Sequence, residues 1–154
     1  MSIKIKTTLI NELFHLFGAL IAAILTYIFY SNIYLSFISF SVSMLVDIDH
    51  LLEYFLAEGL SLKIKFKKIL SGENIQKIGK IYVIFHAWEY LLVLLIIYAI
   101  TQNLLFMSLF LGLLSHYIVD TLSNEVVPLA YFITYRIKVN FDIKKIGTCY
   151  KHRD

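Results

Sequence analysis

Residues 104–122 read LLFMSLFLGLLSHYIVDTL, an apolar run whose final part contains His116 and Asp120. Its length approaches the ~20 residues that a helix needs to cross the hydrocarbon core of a membrane. At positions i and i+4 the two polar side chains share one helix face. Ionisable side chains inside membrane segments are costly and usually functional. The run therefore predicts a membrane helix with a polar site near one end.

Three more apolar stretches each contain a histidine and a carboxylate three residues apart. With 104–122, they predict helical spans over about residues 9–30, 33–55 and 82–100. Their pairs are Glu12 with His15, Asp47 with His50, and His86 with Glu89; Asp49 and Glu53 lie close to the second pair. Each pair would share one helix face.

The composition narrows the protein class. The chain has 154 residues and is 59% hydrophobic, which is too apolar for a soluble protein of this size. A single cysteine, Cys149, excludes an internal disulfide and a cysteine-rich metal site. Lys4 and Lys6 before an apolar run resemble a signal peptide, but no small-residue cleavage site follows, so we predict a retained helix.

The placement of positive charge predicts the topology. All 14 lysines and arginines lie in the amino terminus, in the loop 57–80 or in residues 136–153. In an antiparallel bundle these regions share one side, and the uncharged turns at 31–32 and 101–103 share the other. The positive-inside rule assigns the charged side to the cytoplasm. We expect a multi-pass protein of the inner (cytoplasmic) membrane of a prokaryotic cell, with both termini cytoplasmic.

The predicted fold class is all-α, an integral membrane antiparallel four-helix bundle with an additional interfacial helix. Residues 1–125 would form the bundle that carries the metal site, including the basic loop 57–80. Residues 126–154 would form an interfacial segment and a basic tail, because the apolar part of 126–139 is too short for a fifth span. Within the loop, 62–70 alternates apolar residues with lysines, which fits either a short strand or an interfacial helix.

In this topology all four pairs meet at the cytoplasmic end, where they predict a metal site. Histidine nitrogen and carboxylate oxygen suit Zn²⁺, Mn²⁺ or Fe²⁺, and helix bundles collect such ligands on facing helices. We predict two or three ions, Zn²⁺ before Mn²⁺ or Fe²⁺, with some carboxylates orienting an imidazole. On a regular helix Asp47 and Asp49 cannot both face inward, so one would ligate across a distorted helix end. The predicted ligands are His15, Asp47, Asp49, His50, His86, Glu89, His116 and Asp120.

Each of these residues also has a simpler interpretation. A single histidine near a membrane end is more often a hydrogen-bonded interfacial residue than a ligand. Asp120 could cap a following helix, and Glu53 could be an ordinary interfacial residue. Trp88 and the tyrosines are typical of aromatic membrane anchors. The occurrence of four pairs together favours the metal site.

The motifs VDIDH at 46–50 and SHYIVD at 115–120 resemble the YdjM-like inner-membrane proteins, described as membrane-bound metal-dependent hydrolases. That family has an early histidine followed by a glycine, which His15 and Gly18 match, then D-x-D-H, a histidine segment and H-x-x-x-D. The resemblance spans about residues 11–124. Typical members carry an H-R-G-x-T-H-type segment where this chain has FHAWE at 85–89, so a histidine and an arginine are missing.

In motif layout the family is similar to the zinc-dependent phospholipase C and P1 nuclease group, which cleaves phosphate esters. The resemblance implies a phosphoesterase that acts on a phospholipid or another phosphorylated lipid, with Glu89 or Asp47 as general base. Membrane lipids, attracted by the loop lysines, would be the partners, and no nucleic acid is expected. The sequence leaves open a di-iron oxidase or hydroxylase, a metal or proton transporter, and a structural anchor.

Overall fold

The computed structural model describes residues 8–60, 73–124 and 126–147, and their regular elements are helical. The α-helices are α1 (Thr8–Tyr30), α2 (Ile33–Leu45), α3 (His50–Glu58), α4 (Glu73–Ile78), α5 (Trp88–Thr101), α6 (Leu104–Ser123), α7 (Ile133–Lys138) and α8 (Ile143–Ile146). Short 3-10 helices cover Val46–Asp49 and Pro128–Tyr131. The predicted all-α class is confirmed. The alternating segment 62–70 lies outside the described residues.

The chain divides into two compact units. The bundle unit comprises Leu9–Val46 and Ala87–Asn124, and so contains α1, α2, α5 and α6. The loop-rich unit comprises, among the described residues, 47–60, 73–86 and 126–147 together with Thr8. Val127, Ala130 and Ile146 form the apolar core of the loop-rich unit. The predicted division at 125/126 into a membrane bundle and an interfacial segment stays a prediction.

Three helical stretches are long and apolar enough to cross a membrane: Ile10–Tyr30, Ile33–Glu58 and Leu104–Ser123. The exposed side of α1 agrees with this assignment. More than half of the surface of several large apolar side chains on α1 is exposed, namely that of Phe14, Phe17, Ile21, Ile24, Ile28 and Phe29. Soluble proteins rarely present so extensive an apolar patch, whereas lipid accommodates one.

The helix α5 is shorter than predicted. It begins at Trp88 rather than near Tyr82 and has 14 residues, fewer than the ~20 of a full span. The residues before it are held in an extended and turning path by side chains of the loop-rich unit. The backbone N–H groups of Tyr82 and Phe85 donate to the carboxylates of Glu53 and Asp49 at 2.7 and 2.8 Å. These hydrogen bonds hold the backbone of residues 82–85 in a non-helical path.

Small residues bring α2 and α6 together. Ser39 and Ser43 are buried on α2, and the Ser43 and Ser115 hydroxyl oxygens lie 3.0 Å apart. One turn earlier a Cβ on Gly112 would overlap the carbonyl oxygen of Ser39. Close approach through small residues is typical of helix interfaces in membranes. Because the contact positions rise together along both helices, α2 and α6 run parallel.

The other two helices of the bundle unit run in the opposite direction. His15, near the start of α1, lies beside Asp120, near the end of α6. The ring of Trp88, at the start of α5, packs edge-on against Tyr117, also near the end of α6. The bundle unit thus has the predicted antiparallel arrangement. The starts of α1 and α5 and the ends of α2 and α6 lie at one end of it.

Candidate metal-binding clusters

The first cluster, here named the D-x-D-H cluster, consists of Asp47, Asp49, His50, Glu53 and His86 in the loop-rich unit. Two imidazoles turn their Nε2 atoms toward one carboxylate oxygen. Nε2 of His86 lies 2.9 Å, and Nε2 of His50 3.7 Å, from Oδ1 of Asp47. One ligand atom from each of these three residues lies within 4.8 Å of the others, so the group could hold a metal ion.

A second carboxylate stands behind each imidazole of this cluster. Nδ1 of His50 is 3.0 Å from Oε2 of Glu53, and Nδ1 of His86 is 3.1 Å from Oδ2 of Asp49. Both carboxylates are almost fully buried and also accept the backbone N–H bonds of Tyr82 and Phe85. Metal-ligating histidines are typically oriented by a carboxylate on the opposite ring nitrogen. The arrangement fits that pattern at both rings.

The local backbone explains how one short segment supplies so many polar groups. Val46–Asp49 is a 3-10 helix, which has three residues per turn and leads into α3. The spacing of three therefore places Asp47, His50 and Glu53 on one side. Asp49 faces a different direction and reaches Nδ1 of His86. The helix end is distorted as predicted. Asp49 binds the His86 segment, and the ligand role of either aspartate stays a prediction.

Proton counting favours a cation in this cluster. A neutral imidazole has a single N–H, yet both ring nitrogens of His86 lie within 3.1 Å of carboxylate oxygens. With both rings neutral, the three carboxylates exceed the buried guanidinium beside them, that of Arg136, by two negative charges. Oδ1 of Asp49 is buried and has no hydrogen-bond partner among the described residues. A divalent ion at the Nε2 side would replace the missing proton and offset the negative charge.

The second cluster, here named the H-x-x-x-D cluster, consists of His15, His116 and Asp120 in the bundle unit. All three are buried. Nε2 of His15 lies 3.4 Å from one oxygen of Asp120, and Nε2 of His116 lies 3.4 Å from the other. The two imidazole rings are stacked with their centroids 4.2 Å apart. Asn124 donates its amide N–H to Asp120 at 2.9 Å and so fixes the carboxylate.

The tautomer of His116 makes this cluster electrostatically unusual. Its Nδ1 lies 2.7 Å from the carbonyl oxygen of Ser43, which can only accept, so Nδ1 carries the proton. In the neutral ring Nε2 then presents a lone pair to the Asp120 carboxylate. Protonating both stacked rings would place two positive charges face to face. A metal ion between the Nε2 atoms and Asp120 would remove the repulsion between the Nε2 lone pair and the carboxylate. It would also make protonation of the two stacked rings unnecessary.

The structure groups most of the predicted ligands, with two differences. Asp49 stands behind His86, in the place of an orienting carboxylate. His86 precedes α5, whose first turn contains the half-buried Glu89, so these two residues do not share a helix face as predicted. The roles of Glu89 as metal ligand and general base stay predictions. The formation of one metal site by all four histidine–carboxylate pairs also stays a prediction.

Sequence reasoning missed several groups that support the clusters. The spacing of Glu53 from His50 is a signal for an orienting carboxylate, whereas the bond from Asn124 to Asp120 is seen only in the structure. The Ser43 carbonyl is a backbone group, so the sequence does not indicate that it binds His116. Arg136 was treated only as a charge that sets topology, whereas its side chain is fully buried.

Comparison of the chain with protein-family models, with curated proteins and with solved structures finds no match. The resemblance to YdjM-like proteins therefore stays a prediction from the order of the motifs.

Replacement of Glu53 with glutamine is expected to weaken metal binding by about 10- to 100-fold, the usual effect of losing an orienting partner. Glutamine still accepts the N–H bond of Tyr82 but carries no charge to make His50 more basic. Titration calorimetry with Zn²⁺ would measure the Kd. The control is Glu58→Gln, which removes a carboxylate from the same helix, where it pairs with Lys77 at 3.1 Å. An unchanged Kd for Glu53→Gln would show that Glu53 does not act through His50.

Proposed function

We propose that the protein is a membrane-bound metal-dependent hydrolase that cleaves a phosphate ester in a phospholipid or another phosphorylated lipid. One observation carries the proposal. In both clusters an imidazole has its Nδ1 engaged by a carboxylate or a backbone carbonyl and turns Nε2 toward another carboxylate. Histidines that bind catalytic metals are held in this way. The observation supports a metal role over simple hydrogen bonding, and the hydrolase follows by the family resemblance.

The donor sets fit divalent metals. Asp47, His50 and His86 would hold one ion, and a second would be held by His15, His116 and Asp120. Nitrogen and oxygen donors without thiolate suit Zn²⁺, with Mn²⁺ or Fe²⁺ as alternatives. When bound, such an ion supplies an acidified water and stabilises negative charge at a phosphoryl oxygen.

The chain's own residues would do the remaining work. Asp49 and Glu53 hold the two imidazoles of the D-x-D-H cluster in orientation. Glu89, half-buried in the first turn of α5, is the proposed general base, with Asp47 as the alternative. Three helical stretches are long and apolar enough to cross a membrane, and this supports a lipid as the proposed substrate. By the positive-inside rule, the proposed reaction would take place on the cytoplasmic side.

Metal removal tests the proposal. We expect detergent-purified protein to contain close to two equivalents of zinc or manganese by mass spectrometry. Dialysis against a chelator should abolish hydrolysis of phospholipid in mixed micelles, and adding back the same metal should restore it. Phosphatidic acid tests a phosphate monoester, through release of inorganic phosphate. Phosphatidylglycerol tests a diester, through release of a water-soluble phosphorylated headgroup.

Other results would favour other functions. Iron together with oxygen-dependent turnover would indicate an oxidase or hydroxylase. Metal uptake into sealed vesicles without hydrolysis would indicate a transporter. Hydrolysis that continues at full rate without metal would overturn the metal mechanism. Protein that binds no metal even after reloading would overturn the enzyme proposal.

A further inference from the structure

We infer that Arg136 is a positioning residue that holds His86 in place for metal binding. Arg136 belongs to α7, and its side chain is fully buried in the loop-rich unit. The guanidinium donates two hydrogen bonds to backbone carbonyls, one to Val83 and one to His86, the latter at 2.6 Å. The inference rests on the metal site of the proposed function.

The segment that carries His86 needs such support because residues 81–87 are not helical. Asp49 binds one side of the segment, through the N–H of Phe85 and Nδ1 of His86. Arg136 binds the carbonyls at 83 and 86. The side chains of Asp49 and Arg136 therefore fix the backbone on either side of Phe85. Fixing this backbone also fixes the position of the His86 ring.

The choice of arginine is itself informative. Burying a guanidinium is costly unless it is well hydrogen-bonded, and its planar fork can bind two carbonyls in fixed directions. The backbone of Arg136 is anchored as well: its N–H donates to Phe132 at 3.1 Å, and its carbonyl accepts from Phe141 at 2.8 Å. A side chain engaged in this way does not serve as a surface cation. Its role is to hold the His86 segment.

Metal ligands must be held within about 0.5 Å of their productive positions, so a looser segment should bind metal less well. We expect Arg136→Gln to weaken Zn²⁺ binding by about 10- to 100-fold, as loss of an outer partner does. Arg136→Lys keeps a buried cation without the planar fork and should recover part of the affinity. Lys138→Gln, which removes an exposed cation from the same helix, should match the wild type.

Two further readouts separate positioning from a general loss of structure. The visible absorption spectrum of the Co²⁺-loaded protein should change in Arg136→Gln and partly recover in Arg136→Lys. In metal-free protein, carbethoxylation read by mass spectrometry should increase at His86 while His15 and His116 stay protected. A purely structural defect would expose all three histidines in both variants, and that result would overturn the inference.

The experiment distinguishes failure of this inference from failure of the proposed function. Wild-type protein that binds neither Zn²⁺ nor Co²⁺ would remove the proposed function, and selective modification of His86 would still test the positioning role. Wild-type metal affinity and unchanged His86 protection in Arg136→Gln would overturn the inference while leaving the proposed function intact. If Arg136→Gln does not fold, Arg136→Lys decides: unchanged metal affinity and spectrum in that variant would count against the role of the fork.

Discussion

Asp47→Asn should lose the metal ion of the D-x-D-H cluster and lower hydrolysis by more than about 100-fold, the scale of a lost catalytic acid–base group. Oδ1 of Asp47 is the atom toward which both Nε2 atoms of the cluster point. Asparagine has nearly the same shape but no charge. Because losing an outer carboxylate already costs about 10- to 100-fold in metal affinity, loss of the central one should exceed that.

The control for this substitution is Asp142→Asn. The Asp142 side chain caps α8 by accepting the N–H of Lys144 at 2.9 Å, and asparagine caps a helix equally well. Metal content, activity and unfolding temperature of this variant should therefore equal those of the wild type. Full metal occupancy together with full activity in Asp47→Asn would contradict the assignment of Asp47 to the site.

Thermal unfolding of Asp47→Asn gives an independent measurement. Without metal the variant should be at least as stable as the wild type, because one of three clustered negative charges is gone. With metal the order should reverse, since at 100 times its Kd a ligand adds about 2.7 kcal/mol to the free energy of unfolding. A variant that is less stable under both conditions would indicate that Asp47 is mainly a structural residue.

The helices that depend on local pattern could be predicted well from the sequence. The span predicted at about 9–30 is observed at Thr8–Tyr30, and that at 104–122 is observed at Leu104–Ser123. When polar residues flank an apolar run, the run itself shows where the helix begins and ends. The same holds for the pairing of Asp47 with His50, where spacing alone places both on one side.

The parts that failed depend on distant contacts. Residues 82–87 are apolar enough to extend α5. Hydrogen bonds with the buried side chains of Glu53, Asp49 and Arg136 instead hold this segment in a non-helical path. Nothing next to Arg136 in the sequence indicates that it is buried. Spacing identifies which residues can share a helix face. It does not identify which carboxylate faces a metal and which stands behind a histidine.

Gly112→Ala is expected to destabilise the protein by about 2 kcal/mol, although alanine is the better helix former. The gain in helix propensity is about 1 kcal/mol. This gain is opposed by a steric clash. The added Cβ would overlap the carbonyl oxygen of Ser39 and lie 3.2 Å from its carbonyl carbon. Overpacking of this kind costs up to about 3 kcal/mol, and a backbone atom cannot rotate away. The parallel helices α2 and α6 would have to separate.

Gly18→Ala is the matched control, because it makes the same change in another helix of the bundle unit. Its Cβ would meet a methyl group of Val119 at 3.3 Å and the carbonyl oxygen of Ser115 at 3.5 Å. A methyl on a side chain can shift, so the propensity gain should leave this variant as stable as the wild type or slightly more stable. Denaturant unfolding in detergent would measure both variants. Equal stabilisation of both variants would mean that helix propensity, rather than the contact of Gly112 with Ser39, sets the stability; destabilisation of Gly112→Ala alone would locate the critical helix contact at that pair.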